Sequence, residues 1–104
     1  MKKIIDGLKY DTEKSLLIGE GGNSLSRRDF NYCYESLYKT KSGRFFLSGE
    51  GGAMTKYSQK VDSNSRCGGA GIVPLSQEEA LRWAEYNLDS DVIEEHFKES
   101  IKDA

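Results

Sequence analysis

YCYESLYKTKSGRFFLSGEGG, residues 32–52, is the stretch whose reading decides the fold. Its arms, Tyr32 to Thr40 and Arg44 to Ser48, are rich in aromatic and β-favouring residues and flank Lys41-Ser42-Gly43. Two such arms around a glycine-containing turn predict a β-hairpin. In the first arm Tyr32, Tyr34, Ser36 and Tyr38 share one face, and Cys33, Glu35, Leu37 and Lys39 share the other. Neither face is purely apolar, so one is expected to cover a core and the other to meet solvent or a partner.

Upstream, Lys2 to Ile5 and Leu8 to Tyr10 flank Asp6-Gly7, a pair that readily takes the positive φ angles of a type I′ turn. A tight hairpin is predicted there. Asp11 to Lys14 can close a turn, and Ser15 to Gly19 then reads as a strand, with a single helical turn over Thr12 to Leu16 as the alternative. Glu20 to Ser26 reads as a loop, and Ser26 with Asp29 forms a weak capping pattern for a short helical turn at Arg27 to Asn31. Leu17-Ile18-Gly19-Glu20-Gly21-Gly22 is echoed by Leu47-Ser48-Gly49-Glu50-Gly51-Gly52, which suggests two strands leaving a sheet by similar turns. Neither copy is a phosphate loop, because the Gly-Lys-Ser/Thr ending is missing.

Downstream, Ala53 to Val61 fits a strand or a short helix, and Asp62 to Gly71 reads as a polar, Gly-rich surface loop carrying Arg66. Ile72-Val73 adds a short strand before Pro74. Ser76-Gln77-Glu78-Glu79 is a capping box, and Ala80, Leu81, Trp83, Ala84 and Leu88 then form an apolar stripe at helical spacing. This predicts a helix over about 77–88. A second is predicted over about 91–102, with Val92, Ile93, Phe97 and Ile101 inward. The resulting fold class is α+β: one domain over residues 1–104, with an antiparallel sheet of about four to six strands in 2–73 and two C-terminal helices on it.

With 104 residues and 11 glycines against one proline, the chain has room for one modest core. No apolar run approaches the roughly 20 residues that span a bilayer, and no signal peptide is evident, so a cytoplasmic protein without a membrane partner is expected. Cys33 and Cys67 form no disulfide framework and, with His96, lack any metal-ligand spacing; neither metal nor cofactor is expected. No nucleophile, base and orienting group recur at a telling spacing, so the chain reads as non-enzymatic. Charge is uneven: residues 1–75 carry 12 basic and 8 acidic side chains (+4), residues 76–104 carry 3 basic and 9 acidic (−6). A −6 segment is either a solvated helical face or a surface that presents carboxylates to a basic groove as nucleic acid presents phosphates.

The segments K-I-I-D-G…Y-D-T-E, L-Y-K-T-K-S-G-R-F-F-L-S-G-E-G-G-A-M-T-K-Y and G-I-V-P-L-S-Q-E-E-A-L-R-W resemble small accessory proteins of phages, plasmids and conjugative elements of Gram-positive bacteria, of the anti-CRISPR class that inhibits Cas9. The resemblance covers about residues 2–88 and implies non-enzymatic binding to a type II effector or its guide-RNA complex inside the bacterial host. Two routes are compatible with it. In one, Glu78, Glu79, Glu85, Asp89, Asp91, Glu94, Glu95 and Glu99 occupy a basic groove. In the other, Arg27, Arg28, Tyr32, Tyr34, Lys39, Lys41, Arg44, Phe46 and Arg66 contact RNA or DNA, cations on phosphate and aromatics on unpaired bases. The alternative function is a mobile-element interaction or regulatory module unrelated to Cas9. Exposed hairpin edges would allow a homodimer, unless Lys39, Lys41 and Arg44 guard them with charge.

Overall fold

The computed structural model describes residues 1–104. Asp6 and Gly7 take φ angles of 51° and 77°, and they fold β1 (Lys2–Ile5) back onto β2 (Leu8–Asp11) as the Asp-Gly pair predicts. Asp11 then caps a single 3-10 turn, Thr12–Lys14, its carboxylate accepting from the Glu13 amide at 3.0 Å. The expected turn therefore comes first, shorter than the alternative helical turn over Thr12 to Leu16, and the expected strand follows as β3 (Leu16–Gly22), which extends through Glu20 to Gly22 where a loop was expected.

The quoted hairpin becomes β4 (Cys33–Lys39) and β5 (Phe45–Gly51), with Gly43 at φ 91° in the turn between them. These are the two central strands of a four-stranded antiparallel sheet, order β3-β4-β5-β8, completed by β8 (Gly69–Leu75). The edges are therefore β3 and β8, and Lys39, Lys41 and Arg44 guard no edge of this sheet. The remaining strands form separate pairs: β1 with β2, and the two-residue β6 (Gln59–Lys60) with β7 (Arg66–Cys67). The region left open between strand and helix, 53–61, is turns followed by β6, and the predicted loop over 62–71 is cut short by β7 and the start of β8. Residues 27–31 make turns rather than a helical turn.

Side-chain alternation splits the sheet into two faces. On one, Leu37, Phe45 and Leu47 pack with Ile18 beneath Ala80 and Ala84 of α1 (Gln77–Asn87) and Ile93 of α2 (Ser90–His96). Leu81, Trp83 and Leu88 close that core as partly buried residues. Phe97 completes it, its ring stacked on Phe45 at 5.0 Å. On the other face Phe46 and Ile72 meet Tyr10 of the β1–β2 hairpin, with Ile5 and Tyr38 beside them. The order of layers is helices, sheet, hairpin.

α2 stops at His96 and a 3-10 turn, Lys98–Ser100, replaces the helix expected to continue to about 102. Two causes are local. Phe97 leaves the helical region (φ −128°, ψ 29°) to reach Phe45, and Glu99 would place a carboxylate in the last turn of the longer helix, where the dipole is already negative.

The repeated Gly-Glu-Gly-Gly does end a strand in both copies, at Gly22 and Gly51, but it is the last stretch of strand rather than the turn that follows. Gly19 to Gly22 lie within β3, and Gly49 to Gly51 within β5. The glycines are there because the layer above comes down onto the backbone. A Cβ on Gly19 would fall on Leu88, one on Gly21 on Asn87, and one on Gly49 on the Tyr57 ring. Gly21, Gly49 and Gly71 also share a register row with Glu35, so the row is bare except for that carboxylate. Gly49→Ala is expected to cost ~1–3 kcal/mol, the usual penalty of overpacking a filled space. Gly71→Ala, where the nearest atom of Tyr57 would sit at an ordinary 4.0 Å, is the matched control. Equal denaturation midpoints for the two variants would refute the steric account.

Candidate functional site

The capping box forms as the sequence predicts: the Ser76 hydroxyl accepts from the Glu79 amide at 3.1 Å, and Glu79 Oε1 accepts from the Ser76 amide at 2.9 Å. It fixes the start of α1, and burial of Ala80 and Ala84 against the sheet fixes its rotation. The outward face then carries the acidic residues. Glu78, Glu79, Glu85, Asp89, Asp91, Glu94, Glu95 and Glu99 are all exposed. Three of them have work inside the molecule. Glu79 serves the cap, and its carboxyl is held below the ordinary range by hydrogen bonds from the Ser76 backbone and side chain. Glu78 faces Arg82 at 4.0 Å, and Glu95 lies 3.8 Å from His96. Glu85, Asp89, Asp91, Glu94 and Glu99 carry no ion pair. Glu85 and Glu94 stand on the same cleft, about 450 Å³, between the two helices and residues 100–102.

The residues expected to contact nucleic acid do not assemble. Phe46 is 0% exposed, sandwiched between Tyr38 (stacked, 5.3 Å) and Tyr10 (edge-on, 5.4 Å), so it stacks on no base. The sequence left open which face of the hairpin meets a partner, and at Phe46 the face is the one covered by the N-terminal hairpin. Arg27 pairs with Glu50 at 3.1 Å, and that same carboxylate oxygen accepts from Tyr32 at 2.9 Å. Tyr34 donates to Glu20 at 2.6 Å. Both phenols titrate above their ordinary range because their hydroxyls are held by carboxylates. Lys39, Lys41 and Arg44 lie at the turn end of β4–β5, whereas Tyr32 and Tyr34 lie at the other. A seven-residue strand of ~3.4 Å per residue separates the groups by roughly 20 Å. Lys39 sits over the Phe45 ring at 5.4 Å, and the Arg66 guanidinium donates to Ser58 at 2.9 Å on the small β6–β7 hairpin. Arg28 is exposed beside the Ser26 turn.

One polar centre escaped the sequence reading. Glu35 projects from β4 towards the helices, its side chain only 12% exposed, and it accepts from Tyr57 Oη at 2.5 Å, Trp83 Nε1 at 3.1 Å and Lys56 Nζ at 2.6 Å. Trp83 is thus a core anchor, as expected, with its indole N–H tied to a carboxylate as well. The parity of β4 was the available signal: a glutamate among Cys33 and Leu37 on the core side needs partners. Burial alone would raise the Glu35 pKa, but the hydrogen bonds and the Lys56 charge together hold it below the ordinary range. Tyr57 is pushed far up by burial and by Glu35, so it stays a donor.

Cys33 beside this centre is pushed up by burial and then by Glu35, the opposite of an activated thiol. Cys33 and Cys67 are both free. His96 shares a cleft with Lys39 and Phe45, at the far end of β4 from Cys33, so no cysteine–histidine pair forms. No group of three or more His, Cys, Asp or Glu side chains stands in metal-binding geometry. No helix is long and apolar enough to cross a membrane. No protein-family model, curated protein or solved structure matches the chain.

Proposed function

We propose that this chain is a non-enzymatic inhibitor that binds a basic, nucleic-acid-handling groove of a partner protein through its C-terminal helices. The resemblance to anti-CRISPR proteins gives the partner as a Cas9-type effector or its guide-RNA complex in the bacterial cytoplasm. The observation that carries the reading is the outward set of carboxylates on the C-terminal helices: Asp89 just before α2 and Glu99 in the 3-10 turn after it are free of any internal ion pair, as are Glu85, Asp91 and Glu94 on the helices themselves. Held on helices, they meet a partner with little ordering cost, which is how charge complementarity becomes affinity rather than only steering. The competing basic set supports direct nucleic-acid binding poorly, since it is divided between two ends of the sheet, has lost Phe46 to the core, and is partly neutralised by Glu50.

Capture of Cas9 by the tagged protein, with and without guide RNA, tests this alongside DNA cleavage. Binding with loss of cleavage is expected, weakening steeply as salt rises because the charges are exposed. Glu85→Lys with Glu94→Lys should weaken capture by at least about tenfold, whereas Arg27→Ala with Arg28→Ala should change it little. The reverse pattern would overturn the carboxylate reading, and normal cleavage without capture across several orthologues would remove the Cas9 partner.

A further inference from the structure

We infer that the cleft between α1 and α2 is a docking groove for a basic segment of a partner protein that also inserts an aliphatic side chain. The inference rests on the reading that the acidic helices face a partner, and it adds what that partner must present. Leu81, Leu88 and Ile93 form the floor, and Ile101 lines it while remaining 37% exposed. Glu85 and Glu94 stand at its rim with no internal ion pair, against a single cation, Lys102. Asp89 and Asp91 are exposed at the junction that starts α2.

This combination selects one class of occupant by charge complementarity. Nucleic acid and an anionic lipid surface are repelled by the rim, and a purely ionic partner leaves the apolar floor wet. A segment that alternates Lys or Arg with Leu, Ile or Met satisfies both, its cations on Glu85 and Glu94 and its aliphatic side chain on the floor. Binding should then keep a salt-resistant component, because screening acts on the rim and not on buried apolar area.

The test uses the intact protein and two synthetic peptides of equal charge, one alternating lysine with leucine and one alternating lysine with serine, titrated by calorimetry. The leucine peptide is expected to bind at least about tenfold more tightly, the order of one well-buried aliphatic side chain. It should retain measurable affinity at high salt. Ile101→Asp, at an exposed position, should bring the two peptides level, while Glu85→Lys with Glu94→Lys should weaken both. Equal affinities for the unaltered protein, or unchanged preference in Ile101→Asp, would overturn the proposal. So would equally tight binding of a glutamate–leucine peptide, or self-association that blocks the cleft and assigns it to a second copy. Failure to capture Cas9 with the peptide preference intact removes only the Cas9 partner. Capture of Cas9 unaffected by Ile101→Asp removes only the groove.

Discussion

Phe46→Ala is expected to destabilise the protein by ~3–5 kcal/mol, the range for truncating a fully buried aromatic side chain. That is a large share of the ~5–15 kcal/mol that holds a domain of ordinary size folded. The loss should also be uneven. The β1–β2 hairpin shares no sheet hydrogen bonds with β3-β4-β5-β8, and its core contacts are those of Tyr10 and Ile5 around Phe46, Tyr38 and Ile72. Beyond that core it is tied by the Ser15 hydroxyl donating to the Asp11 carbonyl at 2.7 Å, next to the start of β3, and by a weak 3.7 Å contact from the Ser48 hydroxyl to Met1 Sδ. Phe46→Ala should therefore release residues 2–11 before the rest unfolds, read as fast amide hydrogen exchange there with protection kept in β4 and β5. Phe97→Ala, of similar predicted cost on the opposite face, should instead loosen α2 and leave the hairpin protected. Uniform loss of protection in both variants would sink the account of two separate cores.

The elements with local chemistry were legible in the sequence. Asp6-Gly7, Lys41-Ser42-Gly43 and Ser76 to Glu79 each specify a turn or a cap by what their own atoms can do, and each forms where predicted. The helix packing through Leu81, Trp83, Leu88, Ile93 and Phe97 was legible for a similar reason, since helical spacing declares the buried stripe. What depended on distant partners was not. Gly19-Glu20-Gly21-Gly22 reads as a turn because glycine is permissive, yet here glycine is required by Leu88 and Asn87 lying on the strand. Phe46 reads as a stacking platform because strand parity gives two faces without saying which one a hairpin from the N-terminus will cover. The acidic face was legible as composition, and its exposure follows from the apolar stripe opposite it. That Glu85 and Glu94 share a cleft required the angle between α1 and α2.

Glu35→Gln is expected to cost roughly 2–3 kcal/mol at neutral pH, below the ~3–5 kcal/mol of a fully buried ion pair because Lys56 is 50% exposed. The amide keeps the size of the side chain but offers one acceptor oxygen where the carboxylate serves Tyr57, Trp83 and Lys56, so one donor is left facing an NH2 group. The pH dependence identifies the charge as the cause. The folded-state pKa of Glu35 lies below the ordinary value of about 4.3 for an unfolded glutamate. Its contribution is therefore complete above that value and is lost as pH falls from there through the folded pKa. Denaturation of the two proteins between neutral and strongly acid pH should show a gap that is constant above about pH 5 and closes below it. A gap independent of pH would mean that the substituted amide merely packs badly. A closing gap would establish the charge of Glu35 as what holds Lys56 and Tyr57 on the sheet and, through the indole N–H, orients Trp83 of the helix that carries part of the acidic face.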